Sequence, residues 1–122
     1  DNVSPSFSPD GRRLAFASGR SGHPEVYIAD AARTGAELLT DFDFGEQNYR
    51  SNPDWSPDGR VVAFQSLMGG QFQVLTLALR DRSVKRHTAE GRNEDPSFAP
   101  DSRHLVVTST RGGSAQLWVV DA

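Results

Sequence analysis

The chain has 122 residues, a net charge of −3 at neutral pH and no cysteine, and 36% of its residues are hydrophobic. No apolar stretch approaches the roughly 18 residues that span a bilayer, so we predict no membrane insertion. The acidic balance gives no electrostatic basis for binding nucleic acid, and the lack of cysteine excludes disulfide and thiol chemistry.

One eight-residue phrase occurs three times and sets the order of the predicted strands. Its copies begin at Pro5, Pro53 and Pro96 and read PSFSPDGR, PDWSPDGR and PSFAPDSR. The starts lie 48 and 43 residues apart, which is the spacing of a four-stranded propeller blade and not of a helical repeat. The predicted fold class is therefore all-β, a β-propeller of four-stranded antiparallel blades.

Each phrase predicts a strand that leads into a tight turn. In residues 8–12, SPDGR, the proline presets φ, the aspartate can bond its own backbone, and the glycine tolerates positive φ. The first proline of the phrase lacks an N–H and predicts a strand start. The aromatic residue two positions later, Phe7, Trp55 or Phe98, predicts a core anchor between sheets.

Three blades follow in chain order, and the third lacks its outer strand. Blade one, about residues 1–42, has predicted strands at 4–8, 13–18, 25–29 and 37–40. Blade two, about 49–90, has them at 52–56, 61–66, 71–78 and 83–87. Blade three, about 93–122, has them at 95–99, 104–109 and 115–120. Because closed propellers use about 4–8 blades, we expect self-association, such as a homodimer that closes a six-bladed ring, or completion by further blades.

The connections that lead into the inner strands carry the predicted partner-binding site, because in a propeller they reach the channel mouth. The first connection holds Phe42, Phe44 and Tyr49 among acidic residues, and exposed aromatics beside arginine resemble protein-binding hot spots. Phe42 and Phe44 could equally plug the end of a blade. The predicted partner-binding residues are Asn48, Tyr49, Arg50, Asn52, Asn93, Glu94 and Asp95.

A polar ring is a second expectation for the channel. Asn2, Asn52 and Asp95 stand before the three prolines, so their side chains could surround the axis. Such a ring would hold water in preference to a hard cation such as calcium, which needs more converging oxygens. We predict no metal site and no cofactor.

Catalytic motifs are missing from the sequence. His23, His87 and His104 lie far apart without zinc-ligand spacing, and neither a phosphate loop nor a Gly-x-Ser-x-Gly elbow is present. We therefore predict that the chain is not an enzyme.

The phrase, followed by Leu14-Ala15-Phe16, a glycine turn and an apolar run that ends in Asp30, resembles the TolB-type propeller repeat over nearly the whole chain. The resemblance implies a non-enzymatic protein-interaction scaffold of the bacterial Tol/Pal envelope system, located in the periplasm. It implies a protein partner at the channel face, either a Pal-like lipoprotein or a subunit of a large complex. The same repeat type leaves three alternatives: the propeller portion of a peptidase or hydrolase, an accessory subunit, and a half-propeller that self-assembles.

Overall fold

The structure is a computed structural model that describes residues 2–20, 22–31, 35–40 and 49–122, with Asn2 and Val3 described by their backbone alone. Within these residues, eleven antiparallel strands form three sheets, which we call blades one, two and three. Blade one contains β1 (Asn2–Phe7), β2 (Arg13–Ser18), β3 (Glu25–Asp30) and β4 (Glu37–Leu38). Blade two contains β5 (Arg50–Trp55), β6 (Val61–Met68), β7 (Gln71–Ala78) and β8 (Val84–Arg86). Blade three contains β9 (Asn93–Phe98), β10 (His104–Ser109) and β11 (Gln116–Asp121).

Each predicted strand overlaps a strand of the structure, and neighbours along the chain are neighbours in each sheet. The all-β prediction is confirmed. No helix in the described part of the chain is long and apolar enough to cross a membrane.

The turns after the inner strands are closed by a side chain, as the phrase predicts. In the first turn, Asp10 Oδ1 accepts from the Ser8 hydroxyl at 2.7 Å and from the Arg12 N–H at 2.9 Å, and these bonds lower the pKa of Asp10. Gly11 has a φ of 72°. The third turn has Ser102 at this position with a φ of 59°, so the turn survives without glycine.

The inner strands contain a β-bulge that the sequence did not predict. Ser4, Asn52 and Asp95, each directly before a proline of the phrase, have φ values of 56°, 54° and 53°. The register of all three inner strands shifts at these residues. The prediction that each proline begins a strand is wrong, because the bulge leaves the proline nitrogen without a ladder bond to make and lets the strand begin three residues earlier.

The core lies between the blades. Between blades one and two, one apolar cluster joins Ala15, Val26, Ile28 and Leu39 to Trp55, Val62, Phe64, Leu75 and Leu77. Between blades two and three, a smaller cluster joins Ala63 and Val74 to Leu105 and Val107, with Phe98 and Val120 packed against it. The predicted anchor role fits Trp55 and Phe98, whereas Phe7 is 61% exposed on the outer flank of blade one.

Candidate functional site

The bulges of the three inner strands form a continuous polar row. Strands β1, β5 and β9 contact one another in sequence, so their bulges lie side by side. The Ser4 hydroxyl donates to Asn52 Oδ1 at 3.0 Å, and Asn52 Nδ2 donates to Asp95 Oδ1. This bulge row, made of Ser4, Asn52 and Asp95, lies along the edge where the inner strands of all three blades meet.

The bulge row corrects the predicted polar ring by one member. Asn2 was expected beside Asn52 and Asp95, but Ser4 holds that position. The backbone of Asn2 pairs with Ser18 further along the strand. Asn2 lies three residues before its proline, whereas Asn52 and Asp95 directly precede theirs. Among the described residues, no group of three or more His, Cys, Asp or Glu side chains is placed to hold a metal ion.

The groups around the bulge row are held in place and partly open to solvent. The Asp95 N–H donates to Gln65 Oε1 at 2.9 Å, and Glu94 forms an ion pair with Arg92. Tyr49, three residues before Asn52, is 38% exposed, and its ring meets Phe72 edge-on at a centroid distance of 5.3 Å. The predicted residues Tyr49, Asn52, Glu94 and Asp95 therefore remain available for contact.

Arg50 was predicted at the same surface, but its side chain is only 1% exposed. Arg50 Nη1 donates to Glu25 Oε1 at 3.0 Å and to Oε2 at 3.2 Å, and Arg50 Nε donates to Ser66 Oγ at 3.1 Å. The Thr40 hydroxyl donates to Glu25 Oε1 at 2.6 Å. We call Glu25, Thr40, Arg50 and Ser66 the charged joint, because they tie blade one to blade two with a buried ion pair.

Asn93 occupies the corresponding position between blades two and three and is fully buried. Its Nδ2 donates to Gln73 Oε1 at 3.0 Å, and its Oδ1 accepts from Arg111 Nη2 at 3.1 Å. The Thr88 hydroxyl donates to Gln73 Oε1 at 2.7 Å. We call Gln73, Thr88 and Asn93 the neutral joint. Burial removes both Arg50 and Asn93 from direct contact with a partner and gives them the role of fixing neighbouring blades.

Sequence reasoning missed the other halves of both joints, although a signal was present. Glu25 and Gln73 are 48 residues apart, as are Thr40 and Thr88, and this is the offset between the first two phrases. The threonine role is also repeated, because Thr40 accepts from the Val26 N–H at 3.0 Å and Thr88 accepts from the Val74 N–H at 2.9 Å. The predictions for Phe42, Phe44 and Asn48 lie outside the described residues.

A further tie crosses the blades next to the bulge row. Asp54 Oδ2 accepts from the Phe98 N–H of blade three at 2.8 Å, and Ser6 Oγ accepts from the Trp55 N–H of blade two at 3.4 Å. Burial raises the pKa of Asp54, and the Phe98 N–H partly offsets this effect. The inner strands are thus linked by side chains on both sides of Pro5 and of Pro53.

Comparison with known proteins identifies the repeat. The family described as TolB beta propeller domain matches residues 2–122. The Tol-Pal system protein TolB of Bordetella pertussis is 35% identical over 116 residues, which cover 95% of this chain and 26% of that protein. A putative TolB from Agrobacterium tumefaciens superposes with a TM-score of 0.85 at 27% identity, over 97% of this chain and 42% of that one. The chain thus spans about a quarter of the length of the curated relatives it matches.

A propeller from a protease has a similar backbone. The β-propeller domain of the Trilobed protease from Pyrococcus furiosus superposes with a TM-score of 0.73 at 17% identity, over 98% of this chain and 38% of that one. At this identity the likeness shows the fold alone. Together the matches confirm the predicted propeller architecture.

Proposed function

The chain belongs to the TolB beta propeller family, and on that basis we propose that it is a non-enzymatic scaffold that binds a protein partner along its bulge row. Membership of this family supports the periplasmic location that the resemblance implied. The Pal-like lipoprotein expected from the resemblance is our first candidate partner, and a subunit of a larger complex is the second.

The observation that carries the proposal is the bulge row itself. Three polar side chains from three blades are hydrogen-bonded in line and fixed by bulges, so a partner would meet them already ordered. Preorganised groups lose little conformational entropy on binding. Asp95 and the nearby Glu94 favour a partner segment that offers N–H donors or basic side chains.

Tyr49 supplies the apolar part of the proposed site. Its ring is supported by Phe72 and keeps more than a third of its surface open. A partly exposed, supported tyrosine beside polar groups is the composition typical of an interface hot spot. We therefore place the partner contact on Tyr49, Asn52, Glu94 and Asp95, with Asn48 retained from the sequence.

Binding of a purified Pal, without its lipid anchor, tests the proposal by titration calorimetry. We expect Tyr49→Ala to raise the Kd by about tenfold or more. We expect Asp95→Asn to weaken binding without disturbing the bulge, because asparagine tolerates positive φ. Lys85→Ala, on the exposed outer strand β8, is the matched control and should bind as the unaltered chain does. Equal affinity of all three variants, or no binding by the unaltered chain, would contradict the proposal.

The propeller portion of a peptidase remains the second candidate because the repeat type leaves it open, and the protease propeller shares the fold of this chain. In that role the same polar row would bind or gate peptides. Binding of unstructured peptides in place of Pal, or a serine-hydrolase domain in the same reading frame, would support this candidate.

Blades one and three each expose an apolar side chain on the face that points away from blade two. Phe7 on blade one and Leu117 on blade three are 61% and 74% exposed, and each stands on a blade face that has no blade against it among the described residues. We propose that further blades cover these faces and complete the ring.

A further inference from the structure

The outer edge of blade two offers backbone groups to a further strand. Among the described strands, β8 has β7 as its one neighbour in the sheet. Two backbone bonds to β7 flank the strand, each 2.9 Å long: the Ala78 N–H to the Ser83 carbonyl and the His87 N–H to the Val74 carbonyl. Because bonded and non-bonded pairs alternate in an antiparallel ladder, the N–H and C=O groups of Val84 and Arg86 point away from β7.

The equivalent edge of blade one is shorter and carries the opposite charge. In β4 the same alternation leaves outward-pointing backbone groups at Leu38 and at no second residue of that strand. Glu37 holds the position in β4 that Lys85 holds in β8, 48 residues later. Blade two therefore differs from blade one both in the number of free backbone groups on its edge and in the sign of the edge charge.

Positive side chains stand on both faces of the sheet at this edge. Lys85 and Arg86 are exposed, and because they are adjacent in a strand their side chains point to opposite faces. The Arg86 Nε donates to the Thr88 carbonyl at 2.6 Å, which holds the guanidinium group close to the edge. A strand added to β8 would therefore meet a cation on each of its two faces.

The other charges of the turn between β7 and β8 leave this edge basic. Arg80 is exposed, and Arg82 forms an ion pair with Glu37 of blade one. Asp81 Oδ1 accepts from the Ser83 N–H at 3.0 Å, so this carboxylate is held within the turn. Charged side chains on an edge strand deter pairing with a strand of like charge. The charges thus disfavour the β8 edge of a second copy and favour an acidic strand.

We propose that the outer edge of blade two binds an extended acidic segment of a protein by β-strand addition. The backbone of the segment would bond to Val84 and Arg86, and two adjacent acidic side chains would meet Lys85 on one face and Arg86 on the other. In the sheet order of blade two, β8 is the strand furthest from β5 and its bulge. The inference therefore goes beyond the proposed function and is independent of Pal binding along the bulge row.

Titration of the isotope-labelled chain with a synthetic peptide, followed by NMR, tests the inference. The peptide has two adjacent glutamates flanked by valine and threonine, and its control has glutamines in place of the glutamates. We expect the acidic peptide to bind roughly five- to tenfold more tightly than its control and to slow hydrogen exchange at the Val84 and Arg86 amides. Lys85→Glu should remove this preference, and a peptide with lysine in place of one glutamate should bind that variant more tightly than the acidic peptide does.

Methylation of the peptide's backbone nitrogens separates strand addition from attraction between charges alone. Methylation of one alternating set of nitrogens should abolish binding and methylation of the other set should not, because only one set faces β8. Tyr49→Ala is the matched protein control and should bind the acidic peptide as the unaltered chain does. No binding of the acidic peptide, equal binding of the glutamine peptide, unchanged exchange at Val84 and Arg86, or binding indifferent to methylation would each overturn the inference.

Discussion

The charged joint and the neutral joint occupy the same register positions and use different chemistry. Glu25 and Arg50 tie blade one to blade two, whereas Gln73 and Asn93 tie blade two to blade three. In both joints a threonine hydroxyl also donates to the side chain of the earlier residue, Glu25 or Gln73. The backbone register therefore determines where blades are tied, and each joint fills these positions with a matched pair of side chains.

The two joints also differ in the position of the arginine that bonds to the serine at the end of the second strand of the blade. Arg50 Nε donates to Ser66 Oγ at 3.1 Å from the inner strand of blade two. In blade three, Arg111 Nε donates to Ser109 Oγ at 3.0 Å from the turn after β10. Ser66 and Ser109 thus each accept a hydrogen bond from an arginine. In blade three the arginine comes from the turn after β10, and the inner strand carries Asn93 in place of an arginine.

The largest loss of stability is expected when one partner of the buried ion pair in the charged joint is removed. Arg50→Ala removes the guanidinium partner of the buried Glu25 carboxylate, which keeps the His23 ring and the Thr40 hydroxyl. We expect a loss of about 3–5 kcal/mol in the free energy of unfolding. Asn93→Ala, the matched change in the neutral joint, should cost about 1–3 kcal/mol. Urea denaturation followed by tryptophan fluorescence measures both, and equal losses would show that charge makes no difference between the joints.

A smaller effect is expected when the charged joint is converted to the neutral one. The double variant Glu25→Gln, Arg50→Asn removes both charges together, so no ion is left buried alone. We expect its free energy of unfolding to recover only part of the loss seen for Arg50→Ala, because Ser66 then has no arginine: residue 68, at the position of Arg111 in blade three, is a methionine. A double-mutant cycle with Glu25→Gln alone gives the coupling between the two positions. If the double variant is no more stable than Arg50→Ala, the joints are not interchangeable.

The smallest expected effect is a pH dependence of stability that comes from a contact between blades two and three. His87 joins blade two to blade three, because its ring contacts Thr76 Oγ1 at 2.7 Å and the Asp121 carbonyl at 3.0 Å. Burial lowers the pKa of His87 below its usual value near 6.5. The unfolded chain therefore binds the proton more readily, so this contribution to stability is present above about pH 6.5 and is lost as the pH falls below it.

Melting temperatures between pH 7.5 and 5.5 measure this effect. The difference between the unaltered chain and His87→Gln should shrink as the pH falls. A difference that is constant or that grows toward pH 5.5 would contradict the assignment.

Much of the fold could be predicted because the repeat is local. The phrase encodes its own turn through Ser8 and Asp10, and alternating strands follow at a constant offset. The prediction that the proline begins the strand was wrong because a residue without an N–H fits both a strand start and a bulge. The sequence alone does not distinguish these two positions. The structure shows the bulge in the positive φ of Ser4 and its equivalents and in the register shifts of the inner strands.

The candidate site was predicted in part for a different reason. Tyr49 directly precedes β5 and Asp95 lies in the bulge of β9, and their contact with a partner stays a prediction. Arg50 was assigned to the surface because arginine is usually exposed. Its burial depends on Glu25, which comes from another blade 25 residues earlier, and no pattern within either segment indicates that they meet.

The bulges before the prolines constrain the chemistry of the edge where the inner strands meet. A backbone turned to positive φ is tolerated best by short side chains that can bond locally, such as asparagine and aspartate, and poorly by branched or bulky apolar ones. Ser4, Asn52 and Asp95 meet this demand. The polar character of this edge is thus a consequence of how each inner strand bends, and it needs no binding requirement to explain it.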